Sequence, residues 1–355
     1  MLVERLRCAD FRNLLNTELF PDKEMNVICG ENAQGKTNIL EAIWLFSGAK
    51  SFRSSKDSSF IKFGKEKAKT ELDFISLETK NNAVMNFSDK RTAFLNSKQL
   101  NNPSKLAGIF TAVCFSPSDL NLITDGPSAR RKFLDLSIGQ LYPNYIEILR
   151  AYSRAVTQRN KIIKDYKYDG SLSVMLDVFE EEIASSGEKI INYRKKYIEI
   201  IEKYLPCVYD GLSAGREKIK TVYVAESDGK ILKEKLREKR KEDMYTGVTS
   251  CGPHRDDIEF KINDINVRNY GSQGQKRSVA LALKLSGAEV IKEISGEYPV
   301  CLLDDVMSEL DIIRQNYILN HIKGWQSFIT CCDPSNIERL KEGKIFEIEN
   351  GGIKI

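Results

Sequence analysis

The sequence predicts an α/β fold with antiparallel β elements and an inserted helical second lobe. Three observations predict it. Val27-Ile28-Cys29-Gly30-Glu31-Asn32-Ala33-Gln34-Gly35-Lys36-Thr37-Asn38 reads as a buried strand, a glycine-bounded loop and the start of a helix. From about residue 116 to 254 the apolar spacing becomes mainly helical. After Gly252-Pro253-His254-Arg255-Asp256-Asp257 the alternation of strand and helix returns and continues onward. Residues 1–115 and 255–355 are therefore expected to form one discontinuous lobe, and residues 116–254 the helical one.

The elements follow in order. Met1-Leu2-Val3-Glu4-Arg5-Leu6-Arg7 alternates apolar with charged residues, the pattern of a strand rather than of a secretory leader. A turn, Asp10-Phe11-Arg12-Asn13, leads to a second strand toward Phe20. The loop after Cys29 passes into a helix carrying Leu40, Ile43, Trp44 and Phe46. Lys50-Ser51-Phe52-Arg53-Ser54-Ser55-Lys56 is a polar, basic loop, and residues 62–69 add four lysines. Such a run suits a solvated face and also contact with DNA. Residues 70–77, 83–87 and 91–95 alternate like antiparallel strands. Ala112-Val113-Cys114-Phe115 is a buried strand ended by Ser116-Pro117.

Ser128 is the expected N-cap of the first helix of the second lobe. Residues 145–164 and 181–204 are long periodic helices, each about 30–36 Å long, separated at Tyr168-Asp169-Gly170. Ile183, Ile190, Ile191, Tyr197, Ile198, Ile201 and Leu205 recur at helical spacing and pack the pair antiparallel as core helices. Residues 220–224 read as a strand and 231–240 as a highly charged helix. Then come a strand at 258–262, a helix at 279–294, a buried strand at 300–303, a helix at 312–321 and strands at 328–331 and 345–348.

Composition bounds the function classes. A chain of 355 residues, 41% hydrophobic and 29% charged, is an ordinary soluble globular protein with room for two lobes. It has no uncharged apolar run near eighteen residues, so no membrane span is expected. The 8 cysteines form no C-x-x-C pair, and several lie in apolar runs. Buried, reduced thiols and a cytoplasmic setting are expected. His254 and His321 sit at no ligand spacing, which speaks against structural zinc. The net charge of +4 permits nucleic-acid binding through a local patch without demanding it.

The chemistry-bearing motifs converge on a nucleotide. Gly30, four residues, Gly35, Lys36 and Thr37 fit the phosphate-binding loop pattern. Backbone N–H groups of Gly30, Glu31, Asn32, Ala33, Gln34 and Gly35 would cradle phosphates at the helix N-terminus. Lys36 would reach the β- and γ-phosphates, and Thr37 would ligate Mg²⁺. Val300-Cys301-Leu302-Leu303-Asp304-Asp305 supplies the second half of the site. Asp304 would bind Mg²⁺ directly or through water, and Asp305 would polarise the attacking water. About 265 residues separate the two motifs, far more than one strand–helix–strand crossover requires. Ser272-Gln273-Gly274-Gln275, ahead of an apolar helix, is a further anion site of N–H groups, hydroxyl and helix dipole.

In this order the three motifs resemble the ABC-type ATPase head, and within it the RecF family of bacterial DNA replication and repair proteins. Pro117, Gly126-Pro127-Ser128-Ala129-Arg130-Arg131-Lys132-Phe133-Leu134-Asp135 and Gly252-Pro253-His254-Arg255-Asp256-Asp257 add to the resemblance. It implies a head that dimerises on ATP, with Ser272, Gln273, Gly274 and Gln275 of one subunit capping the γ-phosphate held by the other. Ser308 and Asp311 resemble the D-loop that crosses the dimer seam. Arg12 and Asn13 resemble a turn that contacts nucleotide, although a structural turn suits them nearly as well. The resemblance also implies ATP-dependent binding of gapped or duplex DNA in the DNA damage response. With RecR and RecO, such proteins help RecA load onto gapped DNA.

Two departures from transporter-type ATPases bear on mechanism. Asp305 stands where a glutamate is usual, one methylene shorter, and Thr330 where a switch histidine is usual. A hydroxyl cannot act as a general base near neutral pH, so slow, switch-like hydrolysis with catalytic roles for Lys36, Asp305 and Thr330 is expected. A transporter's cytoplasmic ATP-binding subunit and a short SMC-like DNA-end-organising ATPase are the alternatives. The helical lobe and the absent histidine argue against the first, and the lack of a long coiled coil against the second.

Overall fold

Five parallel strands carry the core of the first unit in the computed structural model, which describes residues 1–53, 56–165, 173–226, 229–332 and 343–354. Their order is Lys344–Glu349, Met25–Cys29, Ser327–Cys331, Val300–Asp304 and Ala112–Phe115, with Gly352–Ile353 pairing antiparallel at one edge. The inner strands are buried along almost their whole length, as a parallel sheet covered on both faces requires. Register brings Asp304 opposite Thr330, and Thr330 opposite Ile28. One intervening strand therefore separates the loop-bearing strand from the acid-bearing one.

A second, antiparallel sheet runs Thr17–Leu19, Leu2–Ala9, Ala68–Ser76, Thr79–Phe87, Thr92–Leu95, Lys98–Leu100. Burial alternates along Ala68–Ser76, as the sequence pattern requires of a sheet with one face inward. Leu77-Glu78 and Asn96-Ser97 turn the hairpins with two positive φ angles each, the geometry that matches strand twist. The short strand Lys98–Leu100 was not anticipated. Its three residues are too few to show alternation.

The chain divides into two units, Met1–Asp119 with Ala280–Ile355, and Leu120–Val279. This differs from the expected boundary at 254/255. Asp257–Ile262 was assigned to the first lobe, yet it pairs antiparallel with Ile219–Val224 in the second unit. A strand's pattern shows that it is buried but not which partner buries it.

In the second unit Pro143–Asp165 and Ser173–Ser213 pack antiparallel. Tyr145 meets Tyr193 at one end, and Ile163 meets Leu176 at the other. The second helix has 41 residues and is about 60 Å long at 1.5 Å per residue, nearly twice the expected length. Pro206 lies inside it, beyond the expected end at 204. The Tyr168-Asp169-Gly170 separator and Ser54-Ser55 lie outside the described residues. The helix expected from Ser128 begins at Pro127 instead, with Gly126 as N-cap and proline in the first turn. The charged segment forms two helices, Gly229–Glu238 and Arg240–Thr246.

The two Gly-Pro motifs meet in this unit. Arg130 grips Asp257 through Nε (2.6 Å) and Nη2 (3.0 Å), and Arg131 donates to the Asp256 carbonyl. Arg194, also buried, donates to the Pro253 carbonyl and to Asp135. Farther along the helix pair, Arg159 has no exposure and binds Glu180 (3.0 Å), Asp243 (2.7 Å) and Thr249 (3.0 Å). Removing one member of such a buried cluster strands the charge of the others. Arg159→Ala is expected to destabilise this unit by about 3–5 kcal/mol, read as a lower urea midpoint. A midpoint unchanged from wild type would contradict it.

Candidate functional site

The loop after Met25–Cys29 is shaped by three left-handed residues, Gly30 (φ 145°), Ala33 (φ 66°) and Gly35 (φ 119°). A Cβ at Gly30 would lie 2.4 Å from the Ile348 carbonyl, and one at Gly35 would lie 2.8 Å from Asn13 Oδ1. Both positions therefore require glycine, for backbone angle and for close approach. Lys36 is buried and curls back under the loop, donating from Nζ to the carbonyls of Gly30 (2.5 Å) and Glu31 (3.0 Å). Glu31, Asn32 and Ala33 are exposed, and Gln34 accepts from the Asn350 N–H at 2.6 Å. The helix Lys36–Leu45 points its N-terminus at the same place, so N–H groups, ammonium and helix dipole favour an anion there.

The acid-bearing strand ends beside this loop. Asp304 is 7% exposed, and its Oδ1 accepts from the hydroxyls of Thr37 (2.7 Å) and Thr330 (3.0 Å). Burial raises its pKa above the ordinary value of 3.8, while the two hydroxyls and the charge of Arg53 pull the other way. The Thr37 hydroxyl and the Asp304 carboxylate thus already converge on one point. Mg²⁺ takes few protein ligands and completes its shell with phosphate oxygens and water, so this donor pair fits it.

Asp305 follows in a left-handed backbone conformation (φ 53°). Its N–H donates to the Thr330 hydroxyl (2.8 Å), and its carbonyl accepts from Ser308 Oγ (2.8 Å). The kink turns the residue out to solvent, directly after a neighbour that is buried. Asp311 accepts from the Arg314 N–H at 3.0 Å as N-cap of the helix Ile312–His321.

In the second unit, Ser272 precedes the helix Gln273–Ser295. Its Oγ accepts from the Gln275 N–H (3.2 Å), while its own N–H donates to Gln275 Oε1 (2.7 Å). This reciprocal pair is a capping box. Gln275 Nε2 also donates to Glu217 (2.7 Å). Ser272 and Gln273 remain exposed, and Gly274 is half-buried.

Residues 2–351 match the family model of the RecF/RecN/SMC N-terminal domain. The chain belongs to this family. It is similar to the DNA replication and repair protein RecF of Lachnospira eligens, 39% identical over 99% of both chains. RecF of Clostridium acetobutylicum is 38% identical, again over 99% of both. Among solved structures, that of the recombination mediator protein RecF with ATP, in the RecFOR pathway, matches with a TM-score of 0.93. It is 35% identical and covers 99% of this chain and 97% of that one. An SMC head bound to the winged-helix domain of ScpA matches with a TM-score of 0.58 at 17% identity, over 100% of this chain and 96% of that one, a likeness of fold. The fold is that of RecF and SMC ATPase heads.

Within this RecF-like head several of the expected site residues have partners of their own. Thr330 is 1% exposed near the end of its strand, level with Asp304, and its hydroxyl bonds both the Asp304 carboxylate and the Asp305 N–H. The thiol near the mouth belongs to Cys332, close to Asn32 Oδ1 (3.2 Å) and Lys36 Nζ (3.6 Å). Cys332 and Cys207 are exposed, against the expectation of burial, while the other six cysteines are buried and all eight are free. Arg12 Nη2 donates to Glu41 at 2.9 Å, and its guanidinium lies over the Phe60 ring, so it ties the turn to the helix. Asn13 braces the loop by donating to the Ala33 carbonyl (2.8 Å). Arg53, in the basic run read as a solvated face or a DNA contact, donates to Asn38 Oδ1 at 2.8 Å and acts on Asp304. Glu41 is fully buried on the loop helix, and an acid at a helix's core face was the available signal for its partnership with Arg12.

The Asp304 environment fixes a sign. Its folded-state pKa lies above the unfolded value, so the folded protein holds the extra proton between the two. Stability therefore falls as pH rises through that window, from 3.8 upward, and the loss persists at neutral pH. Asp304→Asn is expected to raise the Tm of the nucleotide-free protein at pH 7 and to flatten that decline. A lower Tm at pH 7 would refute the assignment.

Proposed function

We propose that this chain is an ATP-driven, DNA-binding switch of the RecF type in recombinational repair and replication restart. The observation that carries the reading is the full-length likeness to RecF with ATP. Lys36 and the loop N–H groups would hold the β- and γ-phosphates. Thr37 and Asp304 would hold Mg²⁺, which offsets phosphate charge when bound. Asp305, exposed by its left-handed backbone, would orient the attacking water, with Lys36 as the electrostatic partner and Thr330 as the residue that sets both acids.

A carboxylate one methylene short of glutamate, with no imidazole nearby, supports slow hydrolysis. In a homodimer, Ser272 and the free N–H groups of Gln273 and Gly274 would cap the partner's γ-phosphate, with Gln275 setting the serine. Ser308 and Asp311 would lie along the seam, and Arg12 with Asn13 would steady the nucleotide edge. ATP would close the dimer on gapped or duplex DNA, and hydrolysis would release it. RecR and RecO are the expected partners, in the service of RecA loading. The setting would be cytoplasmic, and no helix among the described residues is long and apolar enough to cross a membrane. The full-length likeness to RecF does not favour a transporter subunit.

Sedimentation with ATP and Mg²⁺, paired with retention of gapped duplex, tests the reading. Wild type is expected to dimerise and retain DNA, and Lys36→Ala to lose both. Asp305→Asn should bind nucleotide normally but stay dimeric for far longer. Ser272→Arg should bind nucleotide as a monomer. A wild-type chain that stays monomeric in saturating ATP and Mg²⁺ with DNA present would overturn the proposal.

A further inference from the structure

One aromatic side chain stands wholly outside the packing of the first unit. Phe63 is 103% exposed, ahead of Tyr245 at 87% and Tyr270 at 77% among the described residues. Three other phenylalanines of the unit behave in the opposite way. Phe11, Phe60 and Phe87 are buried and packed on one another, with ring centroids 5.1–5.6 Å apart. The burial that claims those three has passed this one over.

Local geometry explains how it is presented. The Lys65 N–H donates to the Lys62 carbonyl (3.0 Å), and Gly64 has φ +80°, the marks of a type II turn with Phe63 at its first corner. The turn is fastened at its base. Lys62 N–H donates to the Asp10 carbonyl (2.9 Å), and Arg12 N–H donates to the Phe60 carbonyl (2.7 Å). Beneath it sits the aromatic cluster. The ring is thus held out on a braced corner.

Its surroundings are cationic. Residues 62–69 hold Lys62, Lys65, Lys67 and Lys69 against the single acid Glu66. Lys65 pairs with Asp10 and Lys69 with Glu71, whereas Lys62 and Lys67 pair with no carboxylate among the described residues. A flat apolar face framed by unpaired ammonium groups suits a ligand made of flat bases and phosphates. A protein partner would favour a wider apolar surface around the ring.

We infer that the turn Lys62-Phe63-Gly64-Lys65 is a contact for unpaired DNA bases, with Phe63 stacking on a base and Lys62 and Lys67 meeting the adjoining phosphates. The inference rests on the DNA-switch reading and deepens it. It selects the single-stranded side of a gap or junction, because bases inside a blunt duplex offer no free face. Stacking would supply discrimination between gapped and continuous DNA, and the lysines would supply salt-dependent affinity common to both.

The test compares ATP-dependent binding of gapped duplex and of blunt duplex of equal length. Phe63→Ala is expected to weaken binding of gapped DNA by about tenfold or more and to leave blunt duplex unchanged. Phe63→Trp should restore it, and Phe63→Leu, apolar but not flat, should not. Lys62→Ala with Lys67→Ala should weaken both DNAs and lower the salt slope by about two. ATP affinity and ATP-driven dimerisation without DNA should stay at wild-type values in every variant. Unchanged affinity of Phe63→Ala for gapped DNA, while wild type binds it, would overturn this inference alone. A loss of ATP affinity would place the ring on the nucleotide's base, and a loss of dimerisation would place it at the protein seam. Either would overturn it too. Wild type that binds no gapped DNA would remove the DNA-switch reading and this contact together.

Discussion

A buried carboxylate gripped by two hydroxyls constrains the whole nucleotide edge. Asp304 is largely withdrawn from water, so its charge must be compensated locally or stay protonated. Thr37 at the start of the loop helix and Thr330 on the middle strand both donate to the same oxygen. That double grip requires one intervening strand between the loop strand and the acid strand, with Thr330 in register with Asp304. Asp305 turns left-handed, its N–H taken by the same Thr330 hydroxyl. Two adjacent acids thereby acquire opposite environments, one dry and one wet.

The helix start at Ser272 follows a different logic. Its serine and glutamine are already satisfied by each other, so this helix start costs little to keep in a lone subunit. The serine hydroxyl accepts one bond there and can still donate outward, and Gln273 remains exposed. A motif read from sequence as a ligand site is thus first a stable helix cap. Closure on a partner's phosphate would need no rearrangement of the cap, only approach.

Much of this was legible in the sequence because it is local. The loop glycines, Lys36, Thr37 and the apolar run ending in Asp304-Asp305 are contiguous stretches whose chemistry dictates their geometry. What escaped was long-range. Gly30 is required partly by a carbonyl at Ile348, more than three hundred residues away, and no pattern near either residue records that approach. Arg53 looked like one more cation in a basic loop, yet it bonds Asn38 and tempers Asp304. The strand Asp257–Ile262 was read correctly as a strand and wrongly as part of the first lobe, since period gives burial but not partner. Thr330 was placed at the strand's functional end by counting from a histidine pattern. Pairing register sets it level with Asp304, its hydroxyl buried against the acid.

The helical unit shows why buried charge can be kept where apolar packing would be more stable. Its two long helices share many aliphatic positions, and a purely apolar seam between them could slide by a turn at small cost. Arg159 meets Glu180 on the opposite helix and Asp243 beyond it, and Arg240 closes on the same Glu180 from another element. A shift of one turn, about 5.4 Å, would leave Arg159 and Glu180 buried and unpaired from each other. The ion cluster therefore contributes more to the uniqueness of the register than to its depth. Arg130 and Asp257 do the same at the other end, where two Gly-Pro motifs far apart in sequence are locked by one bidentate pair. Those motifs, read from sequence as family signatures, are in the structure clasps between distant stretches of the unit.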